Sequence, residues 1–264
     1  MKLLTINTHS IASGSYERNI EILCSAIIKH MPDVIAMQEV MQPINSEKAD
    51  FCECLKRVGE VPIRNGNFAL NVLKGLKKHK LDYHGVFLGI KKAYDKYEEG
   101  LAILSNKEIN TTEVIQLSPF DDYNNWKTRF ALGVGIGDYW FYSLHFNWES
   151  DKESPFKDEW HELLGATHSK KSVYLMGDFN LTPDSNGYEL ITKSYFDTYM
   201  LAKDIDNGIT VKGKIDGWEK GREEKRIDYI FTSKNTDFKS SKTIFNGKNE
   251  EIISDHFGIL LEKE

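Results

Sequence analysis

The chain has 264 residues, 40% of them apolar, which is enough to fill the core of one large domain or two small ones. Nineteen Gly, six Pro and an apolar spacing that keeps changing period exclude collagen, coiled coil and disorder. Thirty-four basic residues against 40 acidic ones leave a net charge of −6, which argues against tight non-specific binding of nucleic acid, although a local patch can still attract phosphate.

In chain order, residues 2–6 read as a short apolar strand that runs into Asn7. Asn7, His9 and Ser10 interrupt it before a signal-peptide core can form, and no run approaches the roughly 18 apolar residues a membrane helix needs. A cytoplasmic protein with no membrane association is the expectation. Ile20, Leu23, Cys24, Ile27 and Ile28 are spaced as one face of an amphipathic helix, with Ser15 as a candidate cap and Pro32 marking its end. Val34 to Met37 is a buried strand that delivers Gln38 and Glu39 at its exit. Cys24, Cys52 and Cys54 are too few for a disulfide framework, and Cys52 and Cys54 are expected to be free thiols in a reducing cytosol. Residues 56–92 hold nine basic residues, Lys91 and Lys92 among them, against two acidic ones, and read chiefly as a solvated face.

The second half repeats the first. Residues 140–144 form a strand delivering His145, and Phe156, Trp160, Leu163, Leu164 and Thr167 make a helical stripe. Ser154 stands at its N-cap and Pro155 at its first position. Residues 173–176 then deliver Gly177, Asp178, Phe179 and Asn180. Glu39 follows Asn7 by 32 positions and Asp178 follows His145 by 33. Two strand–helix–strand units of nearly equal span imply pseudo-symmetric halves whose parallel strands exit at one edge. Residues 83–90, 100–104, 130–136, 227–232 and 257–261 are strand-like additions. Asp255 and His256 precede the last of these, and an antiparallel strand enters at the edge its neighbours leave. The expectation is an α/β chain forming a single domain over residues 1–264, with two packed mixed sheets and helices outside.

Asn7, Glu39, His145, Asp178, Asn180, Asp228 and His256 thus gather at strand ends along one edge. Hard carboxylate oxygens without thiolates or a zinc-spaced His pair favour Mg²⁺ or Mn²⁺, with Glu39 as the first ligand. In extended chain, residues i and i+2 share a face, so Asp178 and Asn180 are expected to point to the same side.

The blocks Leu-Thr-Ile-Asn7, Val-Ile-Ala-Met-Gln-Glu39, Glu99-Gly-Leu-Ala-Ile-Leu-Ser105, Ser-Leu-His145, Leu-Met-Gly-Asp178-Phe-Asn180, Arg226-Ile-Asp228-Tyr-Ile-Phe and Ser254-Asp255-His256 resemble, in order, those of the endonuclease/exonuclease/phosphatase superfamily. The resemblance covers nearly the whole chain. It implies a four-layer α/β-sandwich and metal-dependent hydrolysis of a phosphate ester by an activated water. It further implies that Asp255, with Gln38 or Asn7 at outer positions, supports the metal held by Glu39. Asp178 looks like the family's water-orienting aspartate, and His256 like its transition-state donor with Asp228 fixing the tautomer. Asn180 resembles an amide that holds water or phosphate. His145 points to branches that carry a histidine there, Glu99 resembles the carboxylate that pairs with it, and Arg129 resembles a phosphate-binding arginine.

The walls decide the substrate. Trp126 and Trp148 offer faces for a sugar ring, and the short connections around 181–186 suit a small phosphorylated molecule, with maltose 6′-phosphate a candidate from resemblance to a bacterial sugar-phosphatase branch. A deoxyribonuclease-like enzyme acting on nucleic acid is the alternative. A catalytically inactive binding module ranks last because no core position is lost. Nothing in the sequence points to a protein partner.

Overall fold

In a computed structural model, which describes residues 1–13, 15–50, 52–213 and 224–263, the two expected strand–helix–strand units and the expected added strands appear in order, together with further elements, among them a helix at 68–78 and strands at 111–116 and 238–244, that the spacing does not mark. The first half comprises β1 (Lys2–Asn7), α1 (Tyr16–His30), β2 (Val34–Pro43), β3 (Leu55–Val58), α2 (Phe68–Lys78), β4 (His84–Ala93) and β5 (Tyr97–Ser105). The second comprises β6 (Thr111–Gln116), β7 (Phe130–Ile136), β8 (Tyr139–His145), α3 (Phe156–Thr167), β9 (Val173–Asp178) and α4 (Asn186–Thr192). The remainder holds β10 (Phe196–Asp197), α5 (Thr198–Leu201), β11 (Ala202–Ile205), β12 (Val211–Lys212), β13 (Glu224–Lys225), β14 (Asp228–Thr232), β15 (Phe238–Ile244) and β16 (Gly258–Glu262).

An eight-stranded mixed sheet has the order β11-β15-β16-β1-β2-β5-β4-β3, and a six-stranded one the order β10-β14-β9-β8-β7-β6. Each contains a parallel pair made by one of the two expected strand–helix–strand units, β1 with β2 and β8 with β9, and the large sheet has two more parallel pairs, β3 with β4 across α2 and β11 with β15. Three apolar clusters separate four layers. Leu23, Ile27, Leu73 and Leu76 pack α1 and α2 on the large sheet, Val34, Ile103, Leu132 and Met176 fill the space between the sheets, and Phe156, Trp160, Leu163 and Leu175 pack α3 on the small sheet. The layering follows from strands whose two faces are both apolar, since each face needs a cover.

Register carries the polar residues to one edge. Asn7 pairs with Gln38 across β1 and β2, His145 with Asp178 across β8 and β9, and Asp228 with Asp178 across β14 and β9. Gly177 makes the last step of β9 possible. Its φ is +147°, and a Cβ there would stand 2.0 Å from the Leu144 carbonyl oxygen. Gly177→Ala is expected to cost about 3 kcal/mol or more, combining backbone strain with a hard clash. A thermal melt should record a fall of roughly 6 °C or more, and an unchanged melting temperature would show that the strand end can relax.

Several local expectations are corrected. β2 does not end at Met37 but continues to Pro43 through a bulge between Met37 and Val40, and Glu39 sits in that bulge at φ 48°. α1 ends at His30, with Met31 capping it in a left-handed conformation directly before Pro32 as expected, but the Ser15 side chain makes no capping bond. α3 begins at Phe156 with Pro155 at its cap, and the Ser154 hydroxyl donates to Glu159 instead of capping. Cys52 and Cys54 are joined in a disulfide, so they are not free thiols and lend no support to a reducing compartment. Only two residues apart, they bridge within one loop, a pairing that counting cysteines for a framework does not detect. Among the described residues, no helix is long and apolar enough to cross a membrane.

Candidate active site

Asp178, almost fully buried at the end of β9, is the hub. Its Oδ1 accepts the Asn180 backbone N–H at 2.9 Å and its Oδ2 accepts Asn7 Nδ2 at 3.1 Å. The Nε2 atoms of His145 and His256 each stand 3.7 Å from that Oδ2. Asn7 Nδ2 also donates to Glu39 Oε1 at 2.9 Å, so one amide bridges two carboxylates. Asp228 Oδ2 lies 2.9 Å from His256 Nδ1. Thr210, without a sequence motif to mark it, ties this last pair together. Its hydroxyl oxygen accepts the N–H groups of Ile227 and Asp228 at 3.0 and 3.2 Å, and its carbonyl accepts that of Phe257 at 2.6 Å.

The bulge in β2 explains Glu39. Met37 and Val40 both face the helical layer, while Gln38 points between the sheets. In an unbroken strand Glu39 would share the Met37 face and lie under the helices. The extra residue turns it to the edge instead.

Charge separates the two histidines. Burial opposes a proton on His256, but Asp228 and then Asp178 outweigh it and hold the imidazole pKa well above its ordinary value. Burial, Arg129 and Lys91 together hold His145 well below its own, so it is neutral. Burial raises Asp178 to about 7 against the pull of His256. Burial also raises Glu39, with the neighbouring carboxylates of Glu99 and Asp255 adding to the shift. Asp255 behaves oppositely: burial works against its charge, but the hydrogen bond from His9 and the charge of His256 bring it to about 2.

Glu39, Asp178, His145 and His256 open onto a cleft of about 310 Å³. Arg129 lines it, is 6% exposed, and gives Nη1 to the Trp126 carbonyl at 2.8 Å while its buried Nε has no hydrogen-bond partner. Trp126 and Trp148 form one wall, ring centroids 5.5 Å apart, with the Trp148 Nε1 also buried and unpartnered. His9 and Tyr94 line the other side, His9 Nε2 lying 3.1 Å from the Tyr94 hydroxyl and Nδ1 3.4 Å from Asp255 Oδ1. Sequence reasoning passed over His9, which carries no motif beyond its position two residues after Asn7.

Lys91 was also misplaced. Read as part of a solvated basic run, it is 4% exposed, with Nζ 3.2 Å from Glu99 Oε1 and 2.7 Å from the Trp126 carbonyl. Burial and Arg129 lower it to about 8. β4 extends three residues past the expected end, and that extension carries Lys91 into the site.

Three expected placements differ. Glu99 pairs with Lys91, while His145 lies nearest Asp178 and Glu39. Gln38 is fully buried, donating to Ser143 Oγ at 2.9 Å, and does not reach the cluster. Asn180 is not in extended chain: its φ is 52° and its Nδ2 donates to the Phe146 carbonyl at 2.9 Å, although it still lines the cleft.

Two groups of donors are candidates for a cation. Ligand atoms of Asp178, Asp228 and His256 lie within 4.8 Å of one another. A histidine held protonated by two carboxylates has no free lone pair to offer, so this trio serves better as an ion-paired unit. Glu39 is different: its carboxylate is crowded by those of Glu99 and Asp255. A hard divalent cation relieves that repulsion, and the all-oxygen donors fit one.

Comparison with known proteins agrees with this geometry. The profile of the endonuclease/exonuclease/phosphatase family matches residues 4–256. An endonuclease/exonuclease/phosphatase family protein from Leptotrichia buccalis is 33% identical, with a TM-score of 0.88 over 100% of this chain and 99% of that one. A mannosyl-6-phosphatase from Bacteroides thetaiotaomicron superposes with a TM-score of 0.67 at 18% identity, covering 99% of this chain and 98% of that one. A 3′ phosphatase from Neisseria, bound to a product DNA hairpin, gives 0.67 at 14% identity, covering 100% and 99%. The last two likenesses show the shared fold alone. A search of curated proteins finds no match.

Proposed function

We propose that this chain, which belongs to the endonuclease/exonuclease/phosphatase family of phosphoric ester hydrolases, is a divalent-metal-dependent phosphomonoesterase acting on a small phosphorylated sugar. The observation that carries the substrate reading is the shape of the cleft: a cationic floor at Arg129 and Lys91 closed by the Trp126 and Trp148 wall. At about 310 Å³ it falls at the small end of ligand pockets, and a duplex needs an extended positive surface that a chain of net charge −6 does not favour. The fold is shared equally with a mannosyl-6-phosphatase and with a 3′ phosphatase bound to DNA, so the choice rests on the cleft, and a disaccharide phosphate such as maltose 6′-phosphate is a specific candidate.

In this reading Arg129 Nε receives a phosphoryl oxygen, which gives the orphaned donor its partner. Asp178, raised to about 7, takes the proton of the attacking water, and the protonated His256 donates to a phosphoryl oxygen as charge builds. Asp228 keeps His256 charged and oriented. Asn7 fixes Glu39 and Asp178 relative to each other. Glu39 and Asp255 would hold Mg²⁺ or Mn²⁺, which when bound supplies charge neutralisation at the phosphate.

Phosphate release and DNA strand cleavage, measured side by side with Mg²⁺ and Mn²⁺ on sugar phosphates, nucleotides, inositol phosphates and plasmid DNA, test the proposal. Release from a hexose or disaccharide phosphate is expected. Efficient nicking of plasmid at low salt, falling steeply with added salt, together with no release from any sugar phosphate, would replace it with the nuclease reading.

A further inference from the structure

Behind the tryptophan wall lies a buried network that the hydrolytic chemistry does not use. Trp126 and Trp148 belong to different loops, one before β7 and one after β8. Asn147, 1% exposed, donates Nδ2 to the Lys127 carbonyl at 2.8 Å and to Glu159 Oε1 at 2.6 Å, and its backbone N–H to Glu159 Oε2 at 3.0 Å. Asn147 precedes Trp148 and Lys127 follows Trp126. One amide therefore joins the two loops a single residue from each ring.

Glu159, fully buried in the first turn of α3, also accepts the Ser154 hydroxyl at 2.6 Å. A carboxylate in such a place is costly unless its oxygens are bonded. Its side-chain partners come from the segment 147–154, so the cost is offset only when that segment lies where it does. Trp126 is anchored separately, its carbonyl accepting Lys91 Nζ at 2.7 Å and Arg129 Nη1 at 2.8 Å. Yet the Trp126 side chain is 50% exposed. A large ring on an anchored backbone, packed on one side by Trp148 and left half to solvent, offers a binding face with little ordering cost.

We infer that Asn147 and Glu159 are positioning residues for the Trp126–Trp148 wall, and that preference for a ring-bearing phosphomonoester is set there and not at the phosphate-binding floor. The inference rests on the phosphomonoesterase reading. Its test compares a hexopyranose 6-phosphate with glycerol 3-phosphate, which has the same kind of phosphate ester and no ring. For the wild type, KM for the ring compound should be lower by about tenfold. Asn147→Ala and Trp126→Ala should each bring the two KM values within about threefold of each other, and Trp126, being half exposed, is a site where substitution spares the fold. A merely structural role for Asn147 would lower kcat for both substrates and leave the KM ratio intact, and that result overturns the inference.

Tryptophan fluorescence gives a second readout, independent of turnover. Free hexopyranose should shift the emission of the wild type and leave that of the Trp126→Ala variant unmoved; no shift in the wild type would count against the wall. If no phosphomonoester is hydrolysed, the functional reading fails while the titration still judges the wall. Equal wild-type KM values for the two esters overturn the inference and leave the functional reading standing.

Discussion

His256→Ala should lower kcat by about 10²- to 10⁴-fold, and Asp228→Asn should come close to it. The two act as one unit: Asp228 Oδ2 is 2.9 Å from His256 Nδ1, and its charge is the largest influence keeping the imidazole protonated against burial. The shape of the pair survives Asp228→Asn, but the charge does not. The imidazole pKa must then fall, because burial no longer meets its strongest opponent. The alkaline limb of the kcat profile, where the donor loses its proton, should therefore move to lower pH in Asp228→Asn. The double variant should lose little more than either single one. Losses that multiply in full would mean that Asp228 and His256 act separately. Asp178→Asn should also lower turnover by about 10²- to 10⁴-fold, through removal of the base; because the Asp178 charge also helps to hold the proton on His256, its alkaline limb should move to lower pH too, by less than in Asp228→Asn.

The residues of this unit were legible because each ends or begins a strand whose apolar run is unmistakable. Parallel pairing from two strand–helix–strand units brings such ends to one edge, so Asn7, His145, Asp178, Asp228 and His256 were found from spacing and strand direction. What spacing does not reveal is a local departure from period. The bulge at Glu39 keeps β2 going for four more residues beyond it, and nothing in Val-Ile-Ala-Met-Gln-Glu-Val-Met distinguishes a bulge from a strand end. Lys91 was lost for a related reason. Among nine basic residues its surroundings depend on how far β4 extends, and its burial is explained by Glu99, opposite it on β5, and by the Trp126 carbonyl. Asn147, Glu159 and Thr210 carry no motif because their partners belong to other segments, backbone N–H groups for Thr210 and a loop-to-helix pairing for Asn147 and Glu159, which a one-dimensional pattern does not contain. The Cys52–Cys54 bridge escaped for the opposite reason, being so local that a search for long-range frameworks overlooks it.

Glu39→Gln should abolish most metal-dependent activity, by about 10²-fold or more, while leaving the fold at least as stable as before. The expectation about stability follows from the carboxylate's surroundings. Burial, Glu99 and Asp255 raise the Glu39 pKa in the folded chain, so the folded state holds the proton more tightly than the unfolded one. Protons are then bound in excess by the native state between the unfolded and folded pKa values, and stability from this group falls as pH rises through that window. Above it the ionised residue carries its full cost, which an uncharged amide of the same shape does not. The amide oxygen can still accept from Asn7 Nδ2, so the bridge to Asp178 is preserved. In chelator, Glu39→Gln should melt at the same temperature as the wild type or higher. Added Mg²⁺ should reverse the order, since a cation at 100 times its dissociation constant stabilises the protein that binds it by about 2.7 kcal/mol and leaves a variant that cannot bind it unmoved. Equal Mg²⁺-induced shifts in both proteins, or full wild-type turnover in excess chelator, would remove Glu39 as the metal ligand. A variant that melts far below the wild type in chelator would instead show that the bulge depends on the carboxylate's charge, and would make the loss of activity a matter of folding.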